Sequence, residues 1–355
     1  MNIHSNIKDY SITFHDDLSF LDKYFSLSNS MVVIDKMVYE IYFGMNYPIK
    51  NFSNIIVLKI DEHIKKLESV QLLYDKAINF SAKKNMTIVS IGGGILQDIT
   101  GFFASTLYRG INWIYIPTTL LSQCDSCIGS KTSLNYKNYK NLIGTFYPPN
   151  EIHITTAFLT TLKELDFYSG LGEVIKLHIM GGKKIELGLK GSLNRILVRE
   201  QIYLKEAVRK SLEIKLSYIS QDEFDTGRRN LLNYGHCFGH ALESTSNFEI
   251  PHGQAVLIGI LLANIVAKNR NILSNKRFNE IFHSLLKNSI LAKLSKKYFS
   301  EDLVLNAMKK DKKRTSDLLS LIMLTDNDDL IRVNDLQNSE VIEALSNINK
   351  YIEIN

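Results

Sequence analysis

The sequence predicts two domains, an α/β domain followed by a mainly helical one, with the boundary near residue 160. Three observations support this prediction. The chain has 355 residues, more than a single hydrophobic core usually organises. Its first half alternates short apolar segments with helical stretches, which is typical of an α/β domain. Beyond Leu162, apolar residues recur at a helical period and few strand signals appear.

Four short apolar segments in the first half are predicted to be buried strands, because polar residues or glycine bound each of them. A helix is predicted over Glu62–Lys84, where apolar residues return every three or four positions. This alternation predicts a parallel sheet covered by helices. The predicted strands are Met31–Asp35, Asn54–Ile60, Met86–Ile91 and Asn112–Ile116. The long helical segments of the second half are Gln201–Ser220, Arg228–Ser244 and Gln254–Lys268.

The composition is that of an ordinary globular protein, with 45% hydrophobic and 22% charged residues. The net charge of +5 is too small to predict nucleic-acid binding, although it leaves room for an anionic small molecule. Three cysteines cannot form a disulfide framework, which favours a reducing compartment. The first residues carry no apolar signal segment, and the longest apolar run, Val256–Ala267, is too short to span a bilayer. We therefore expect a soluble cytoplasmic protein with neither a nucleic-acid nor a membrane partner.

A run of three glycines, Gly92-Gly93-Gly94, directly follows the third predicted strand and precedes a helical stretch. A glycine-rich turn at a helix N-terminus lets the backbone approach a pyrophosphate closely. The spacing is not the GxGxxG of the standard dinucleotide-binding motif, so a tight strand-to-helix turn explains the glycines equally well. Asp98, one turn into the helix, is either a cofactor contact or a solvated helix residue.

Two patterns near residue 130 match well-known motifs only in part. Cys124 and Cys127 form a CxxC pair, but no second pair completes a zinc site, and two small buried thiols are the simpler interpretation. The segment Gly129-Ser130-Lys131-Thr132 ends like a phosphate-binding P-loop, yet the glycine that the P-loop requires upstream is missing. This absence argues against a nucleoside triphosphatase.

Three histidines within seventeen residues indicate a metal site. His236 and His240 are four residues apart and project from one face of a helix, and His252 follows shortly after. Imidazoles together with a carboxylate suit zinc or a similar divalent ion. Glu173, on a different predicted helix, is the nearest candidate carboxylate by type, although its spacing does not show that it meets the histidines.

Several basic residues are dispersed along the chain, and each taken singly is interpreted as a solvated surface charge. Lys176 lies one turn after Glu173, and Arg229 lies four and seven residues before Asn233 and His236. These residues would therefore share a face with the metal site. A metal surrounded by cations suits a phosphorylated, polyhydroxylated acid. The basic residues considered are Lys131, Lys140, Lys176, Lys215, Arg229 and the pair Lys312-Lys313.

Six segments, taken in order, resemble the 3-dehydroquinate synthases, which belong to the wider sugar phosphate cyclase family. The resemblance runs from about Asp35 to Lys313 with family-like spacing. It implies an α/β N-terminal Rossmann-like NAD-binding domain over residues 1–161. An all-α C-terminal domain that binds metal and substrate would follow over residues 162–355. The segments are GGGILQDITGFFASTLYRG, IPTTLLSQCDSCIGSKTSLN, KNLIGTFYPP, SGLGEVIK, RNLLNYGHCFGHALE and HGQAV.

Residue by residue, the resemblance implies two cofactors, NAD and a divalent metal, either zinc or cobalt. Glu173, His236 and His252 match the metal ligands of the family. His240 matches a contact to the substrate phosphate, which replaces the expectation that it is a ligand. The positions that match NAD contacts are Asp35, Glu62, Lys65, Gly93, Gly94, Asp98, Thr118, Thr119, Lys140 and Thr161.

The resemblance also implies which residues handle a phosphorylated sugar-acid substrate. Arg109 matches an arginine that reaches the phosphate across a dimer interface, so we expect a homodimer. The positions with catalytic roles are Lys131, Lys176, Arg229, Asn233 and His240. The further substrate-binding positions are Asp125, Asn141, Lys215 and one of Lys312 or Lys313, with Lys313 preferred.

The implied activity is the conversion of 3-deoxy-arabino-heptulosonate 7-phosphate to 3-dehydroquinate and phosphate, a shikimate-pathway step of aromatic amino acid biosynthesis. Arg229 and Asn233 favour this carboxylated substrate. The altered loop Ser130–Tyr139 keeps open another sugar phosphate cyclase, acting on sedoheptulose 7-phosphate or glucose 6-phosphate. A net oxidoreductase of the iron-containing polyol dehydrogenase type and a non-catalytic scaffold are the remaining alternatives. Departures from the family pattern include Ser130, Gln97, Gln254, Asn135-Tyr136-Lys137 and a missing Pro-x-Arg near Leu165-Asp166.

Overall fold

The chain forms two compact units. The computed structural model describes residues 1–44, 54–137, 139–309 and 319–354. The first unit comprises Met1–Leu162 together with Ile219–Phe224, and the second comprises Lys163–Tyr218 and Asp225–Asn355. The backbone therefore enters the second unit after Leu162, contributes one short segment to the first unit, and then returns.

The first unit is built on a seven-stranded sheet in which every pairing between neighbours is parallel except that of the first two strands. The strands described in this unit are β1 (Asn2–Ile3), β2 (Tyr10–Phe14), β3 (Ser30–Asp35), β4 (Ile55–Leu58), β5 (Thr87–Gly92), β6 (Asn112–Pro117), β7 (Lys131–Tyr136), β8 (Tyr139–Phe146) and β9 (Glu151–Ile154). The order across the sheet is β1-β2-β9-β6-β5-β3-β4, and β7 and β8 form a separate antiparallel hairpin.

The four predicted strands are confirmed as β3, β4, β5 and β6, with ends that differ by at most two residues. Their sequences are largely apolar, as expected for strands in a parallel sheet, and Met31 to Ile34 are completely inaccessible to solvent. The predicted helix Glu62–Lys84 is shorter than expected, since a 3-10 turn at Glu62–Ile64 precedes it. The helices of this unit are α1 (Leu21–Phe25), α2 (Lys36–Tyr42), α3 (Leu67–Asn79) and α4 (Gly94–Thr106).

The edge of the sheet and the β7–β8 hairpin were not predicted. The segment Ser122–Thr132 forms a π-helical turn at Ser122–Ser126 and enters β7 at Lys131. Both cysteines of the CxxC pair are buried, which confirms the interpretation of Cys124 and Cys127 as two small buried thiols.

A buried carboxylate from the returning segment organises the first unit. Glu223 is 8% exposed, and its two oxygens accept hydrogen bonds from the Ser5 hydroxyl (2.5 Å) and from the backbone and side-chain amides of Asn6 (2.7 and 3.0 Å). It also accepts from the hydroxyl of Ser130 at 3.1 Å. Ser130 has a φ of 65°, a left-handed conformation that favours glycine. Its hydrogen bond to Glu223 stabilises a non-glycine residue directly before Lys131.

The second unit is mainly helical, as predicted, and α5, α8 and α9 form its centre. Its helices are α5 (Glu164–Met180), α6 (Lys183–Leu197), α7 (Gln201–Ile219), α8 (His236–Thr245), α9 (His252–Asn269), α10 (Asn275–Ile281), α11 (Glu301–Lys309) and α12 (Asn338–Asn347). An antiparallel pair, β10 (Leu319–Leu324) and β11 (Leu330–Leu336), was not predicted. None of the helices in the described ranges is long and apolar enough to cross a membrane.

We predict that His178 makes the protein less stable in acid. This residue of α5 is only 4% exposed, and its burial lowers its pKa to about 4. The contact of Nδ1 with the Val174 carbonyl oxygen at 2.8 Å opposes this effect only in part. Because the unfolded-state pKa is near 6.5, protonation favours unfolding below that pH. The free energy of unfolding falls by about 1.4 kcal/mol per pH unit until the pH reaches the pKa of His178 in the folded protein. Urea denaturation measures the free energy of unfolding at pH 6.5 and at pH 5. Its decrease between these pH values should be about 2 kcal/mol smaller in His178→Leu than in the wild type. Equal losses in both proteins would contradict the prediction.

Candidate metal and dinucleotide sites

Three side chains of the second unit converge on one point. Glu173 lies in the middle of α5, His236 is the first residue of α8 and His252 is the first residue of α9. The Nε2 atoms of His252 and His236 lie 3.2 and 3.6 Å from the same oxygen, Oε1 of Glu173. One ligand atom from each residue falls within 4.8 Å of the others, which is the arrangement needed to hold a metal ion.

Glycines allow the three elements to approach so closely. A Cβ on Gly172 would lie 2.2 Å from the carbonyl oxygen of Gly253, so only glycine lets α5 touch the start of α9 next to Glu173 and His252. Gly235 has a φ of 79°, a left-handed turn that begins α8 at His236. The backbone thus fixes all three side chains within a few ångströms.

The charge on Glu173 is stabilised although the residue is completely buried. Burial alone would raise the pKa of Glu173, but Lys176, whose Nζ lies 2.5 Å from Oε2, and the imidazole of His252 lower it to about 2. Burial would lower the pKa of His252, whereas Glu173 and Glu243 raise it to about 10. The carboxylate is therefore ionised, as a metal ligand must be.

The donor set fits a divalent ion. Neither oxygen of Glu173 receives a well-aligned hydrogen bond from the described residues, which is unusual for a buried carboxylate. Nδ1 of His236 faces the Tyr234 carbonyl oxygen at 3.2 Å, and Nδ1 of His252 faces Glu243 Oε1 at 3.3 Å. Both rings therefore direct Nε2 towards Glu173. One carboxylate and two imidazole nitrogens are the ligands that zinc and similar ions accept.

His240 shares the face of α8 with His236, as the spacing predicts, and the two ring centres are 5.2 Å apart. It does not belong to the cluster around Glu173. Its ring nitrogen instead lies within 4.8 Å of ligand atoms of Glu243 and His252. Glu243 was missed by the sequence analysis, although its position three residues after His240 was a usable signal.

Several of the basic residues singled out in the sequence are buried. Lys176, Lys215 and Arg229 are between 2% and 7% exposed, so their interpretation as solvated surface charges is wrong. Lys176 also donates to the Leu232 carbonyl oxygen at 2.9 Å. Lys131 and Lys140 are exposed, as expected for single surface charges. Lys312 and Lys313 lie outside the described residues.

A cavity of about 60 Å³ opens beside His236 and His240 within the second unit. Asn233, a predicted substrate contact, lines this cavity. The β10–β11 pair, which was not predicted, forms the apolar side of the cavity. The remaining lining residues are Asn230, Cys237, Met308, Leu319, Ser320, Leu321, Ile322 and Arg332.

In the first unit, the predicted NAD contacts lie at the carboxyl ends of neighbouring parallel strands. Asp35 ends β3 and caps α2 by accepting from the Met37 amide at 2.9 Å. Gly93 is the N-cap of α4, directly after β5, and Gly94 begins that helix. This edge of a parallel sheet is where α/β proteins bind their ligands. Two further predicted positions, Thr118 and Thr119, follow β6.

Asp98 is a paired residue in α4, so its interpretation as a solvated helix residue is wrong. Its carboxylate lies 2.5 Å from Lys65 Nζ and accepts the Ser133 amide at 2.8 Å. Burial raises the pKa of Asp98, although Lys65 opposes that effect. Lys65 also donates to Asn141 Oδ1 at 2.6 Å, so one network joins two predicted NAD contacts to a predicted substrate contact.

Two other predicted NAD positions are linked by the same network. Glu62 lies 3.6 Å from Lys140 Nζ and accepts from the side-chain amide of Asn135 at 2.7 Å. Asn135 in turn accepts from the Asn141 amide at 2.9 Å. Neither Asn135 nor Ser133 was singled out as a site residue. Thr161, another predicted NAD position, contacts the Tyr42 hydroxyl at 2.6 Å.

The two remaining predicted substrate positions of the first unit lie in irregular segments. Asp125 is part of the π-helical turn that precedes β7. Arg109 follows α4 and has a φ of 63°, beside Gly110 with a φ of 118°.

Two departures from the family pattern have structural explanations. Gln97 donates to the Ser126 carbonyl oxygen and accepts from the Ser126 hydroxyl, both at 2.7 Å. Gln254 donates to the Ser289 carbonyl oxygen at 2.9 Å and accepts from the Leu291 amide at 2.7 Å. At each position the amide side chain supplies both a donor and an acceptor.

Solved structures identify the fold. One is 2-epi-5-epi-valiolone synthase from Streptomyces hygroscopicus subsp. jinggangensis 5008 with NAD⁺ and Zn²⁺ bound. Its TM-score is 0.83 at 24% identity, over 96% of this chain and 97% of that chain. Another is 2-deoxy-scyllo-inosose synthase complexed with carbaglucose-6-phosphate, NAD⁺ and Co²⁺, with a TM-score of 0.84 at 23% identity over 97% and 98%. The fold is that of the dehydroquinate synthase-like sugar phosphate cyclases.

Sequence comparisons identify the family within this class. Family models of the 3-dehydroquinate synthase N-terminal and C-terminal regions match residues 55–169 and 170–314. A 3-dehydroquinate synthase of Clostridium tetani is 42% identical over 67% of this chain and 64% of its own length. That of Thermoanaerobacter pseudethanolicus is 35% identical over 85% and 86%. The chain belongs to the 3-dehydroquinate synthase family, which confirms the resemblance seen in its motifs.

We predict that Glu173→Gln lowers the affinity for Zn²⁺ by at least about 100-fold, because it removes the anionic ligand of the cluster. Competition against a chelator of known affinity measures the change. Glu206→Gln, at an exposed position on α7, is the matched control and should bind Zn²⁺ like the wild type. Unchanged affinity in Glu173→Gln would show that this cluster does not hold the metal.

We predict that Lys65→Met destabilises the first unit by about 3–5 kcal/mol, because it leaves the Asp98 carboxylate without its cation. The double variant Lys65→Met/Asp98→Asn should recover most of the loss, since the uncompensated charge is then removed. Chemical denaturation of the two variants measures the difference. A double variant less stable than Lys65→Met would contradict this account.

Proposed function

We propose that the chain is an NAD- and divalent-metal-dependent lyase that converts 3-deoxy-arabino-heptulosonate 7-phosphate to 3-dehydroquinate and phosphate. The convergence of Glu173, His236 and His252, in a chain of this family, carries the proposal. Buried Lys176, Lys215 and Arg229 add the positive charge that a phosphorylated sugar acid requires. The 3-dehydroquinate synthases among its relatives support the same activity.

The metal ligands would be Glu173 and the Nε2 atoms of His236 and His252. When bound, the metal would polarise a substrate hydroxyl, and NAD would accept a hydride and later return it. Zinc and cobalt are the metals we propose, since one each accompanies NAD⁺ in the two structures of similar fold. The positions proposed for NAD in the first unit range from Asp35 to Thr161.

Cationic side chains would hold the two anionic ends of the substrate. Arg229 presents a planar guanidinium suited to a carboxylate, with Lys215 and Asn141 binding the carboxylate or neighbouring hydroxyls. Lys131, His240 and Arg109 would hold the phosphate. The homodimer that Arg109 implies remains a prediction.

Loss of the hydride to NAD would convert the hydroxyl to a ketone, which acidifies the neighbouring C–H. The substrate's own phosphate would take that proton as the C–O bond breaks and phosphate leaves. No protein base is required for this elimination. The final ring opening and aldol closure need a substrate held in one orientation rather than new catalytic groups. Because the hydride is returned, NADH does not accumulate.

A second candidate is another sugar phosphate cyclase of a specialised pathway. The specific observation in its favour is the altered segment around Ser130 and Asn135-Tyr136-Lys137, next to Lys131. Sedoheptulose 7-phosphate and glucose 6-phosphate are the substrates that would distinguish it.

We predict phosphate release from the heptulosonate phosphate with NAD at catalytic concentration and added Zn²⁺ or Co²⁺, without accumulation of NADH. Sedoheptulose 7-phosphate, glucose 6-phosphate and simple polyols complete the panel, and phosphate and absorbance at 340 nm are both recorded. Turnover of only a neutral sugar phosphate would favour the second candidate. Stoichiometric NADH with a polyol would indicate a net oxidoreductase. Inactivity with every member would contradict the cyclase proposal.

A further inference from the structure

We propose that Glu243 is the positioning residue of the metal centre, through a hydrogen bond to Nδ1 of His252. This inference rests on the proposed metal ligands and adds a residue outside them. Glu243 lies on α8, one turn after His240, and contributes no atom to the cluster around Glu173. Its role is to orient a ligand supplied by a different helix.

The two nitrogens of His252 face two different carboxylates. Nε2 lies 3.2 Å from Glu173 Oε1, and Nδ1 lies 3.3 Å from Glu243 Oε1. An imidazole that binds a metal through Nε2 keeps only its Nδ1 proton, and Glu243 is placed to accept a hydrogen bond from that N–H. The hydrogen bond therefore selects both the tautomer and the orientation of the ring.

His252 needs this support more than the other histidine ligand does. Its side chain is 31% exposed, compared with 13% for that of His236. The Nδ1 of His236 is held by the backbone carbonyl of Tyr234, and the Tyr234 hydroxyl is itself anchored on Asn264 at 2.6 Å. Glu243 therefore gives His252 a side-chain acceptor for its Nδ1, where His236 has a backbone carbonyl.

A carboxylate does more in this position than a carbonyl. A charged acceptor makes a stronger hydrogen bond than a neutral one and increases the electron density of the imidazole. Outer carboxylates of this kind typically change metal affinity by about 10–100-fold. We therefore expect Glu243 to act on how tightly the ion is held rather than on the overall fold.

The test measures Zn²⁺ affinity by chelator competition in wild type, Glu243→Gln and Glu243→Ala. We expect losses of about 3–10-fold and 10–100-fold, because glutamine keeps an acceptor and alanine does not. Glu249→Gln is the matched control, since that carboxylate contacts the Tyr298 hydroxyl instead. Thermal unfolding of the metal-free proteins separates an effect on folding from an effect on the ion.

The cobalt-loaded protein supplies a spectroscopic test of the hydrogen bond itself. Paramagnetically shifted proton spectra in H₂O should show an exchangeable N–H signal from each of His236 and His252. We expect Glu243→Ala to broaden or remove only the signal that His252→Gln also removes. Retention of that signal, or wild-type affinity in Glu243→Ala, would overturn the inference.

His240, Glu243 and His252 could themselves form a separate ion site, and this outcome would also overturn the inference. It would appear as two tightly bound equivalents of Zn²⁺ in the wild type and one in both Glu243→Ala and His240→Ala. We expect one equivalent in the wild type, with His240→Ala changing its affinity less than threefold. Wild-type protein that binds no Zn²⁺ would instead contradict the proposed metal ligands.

Discussion

The second unit depends on the compensation of one buried charge. Glu173 is completely inaccessible to solvent, and an isolated carboxylate in that position would be too costly to remain ionised. Lys176 lies on the next turn of the same helix, and His252 belongs to another helix. Groups from two helices therefore compensate the charge of Glu173. The close glycine contacts around α5 make this arrangement possible. The same arrangement that stabilises the carboxylate also gathers the candidate metal ligands.

The sequence predicted the centre of the sheet well and its edge poorly. Largely apolar runs such as Met86–Ile91 are recognisable because both faces of the strand are covered. The segment Tyr10–Phe14 alternates polar and apolar residues over only five positions, and its partner Glu151–Ile154 has four. Such short segments carry too little periodicity to be distinguished from a loop. The β10–β11 pair was missed in a part of the chain where the described elements before and after it, α11 and α12, are helices.

The candidate site was likewise predictable only in part from the sequence. Helical spacing correctly placed His236 and His240 on one face, but it could not tell which of them meets Glu173, because that depends on how α5 approaches α8. Family resemblance supplied an assignment that periodicity alone could not. Burial was also invisible in the sequence, so Lys215 and Arg229 were interpreted as surface charges. Glu243 was overlooked because a charged residue on a helix is ordinarily assigned to solvent.

The route of the chain at Ile219–Phe224 has a consequence for how the protein can be divided. Glu223 belongs to the first unit although it is encoded more than 60 residues after Leu162. A fragment ending at Leu162 would retain every strand of the sheet and still lack the acceptor for Ser5, Asn6 and Ser130. The first unit is therefore discontinuous in sequence, and its native hydrogen bonding cannot be completed before the chain has been synthesised through α7 to Glu223. A separate N-terminal domain that keeps these hydrogen bonds would need a copy of that later segment.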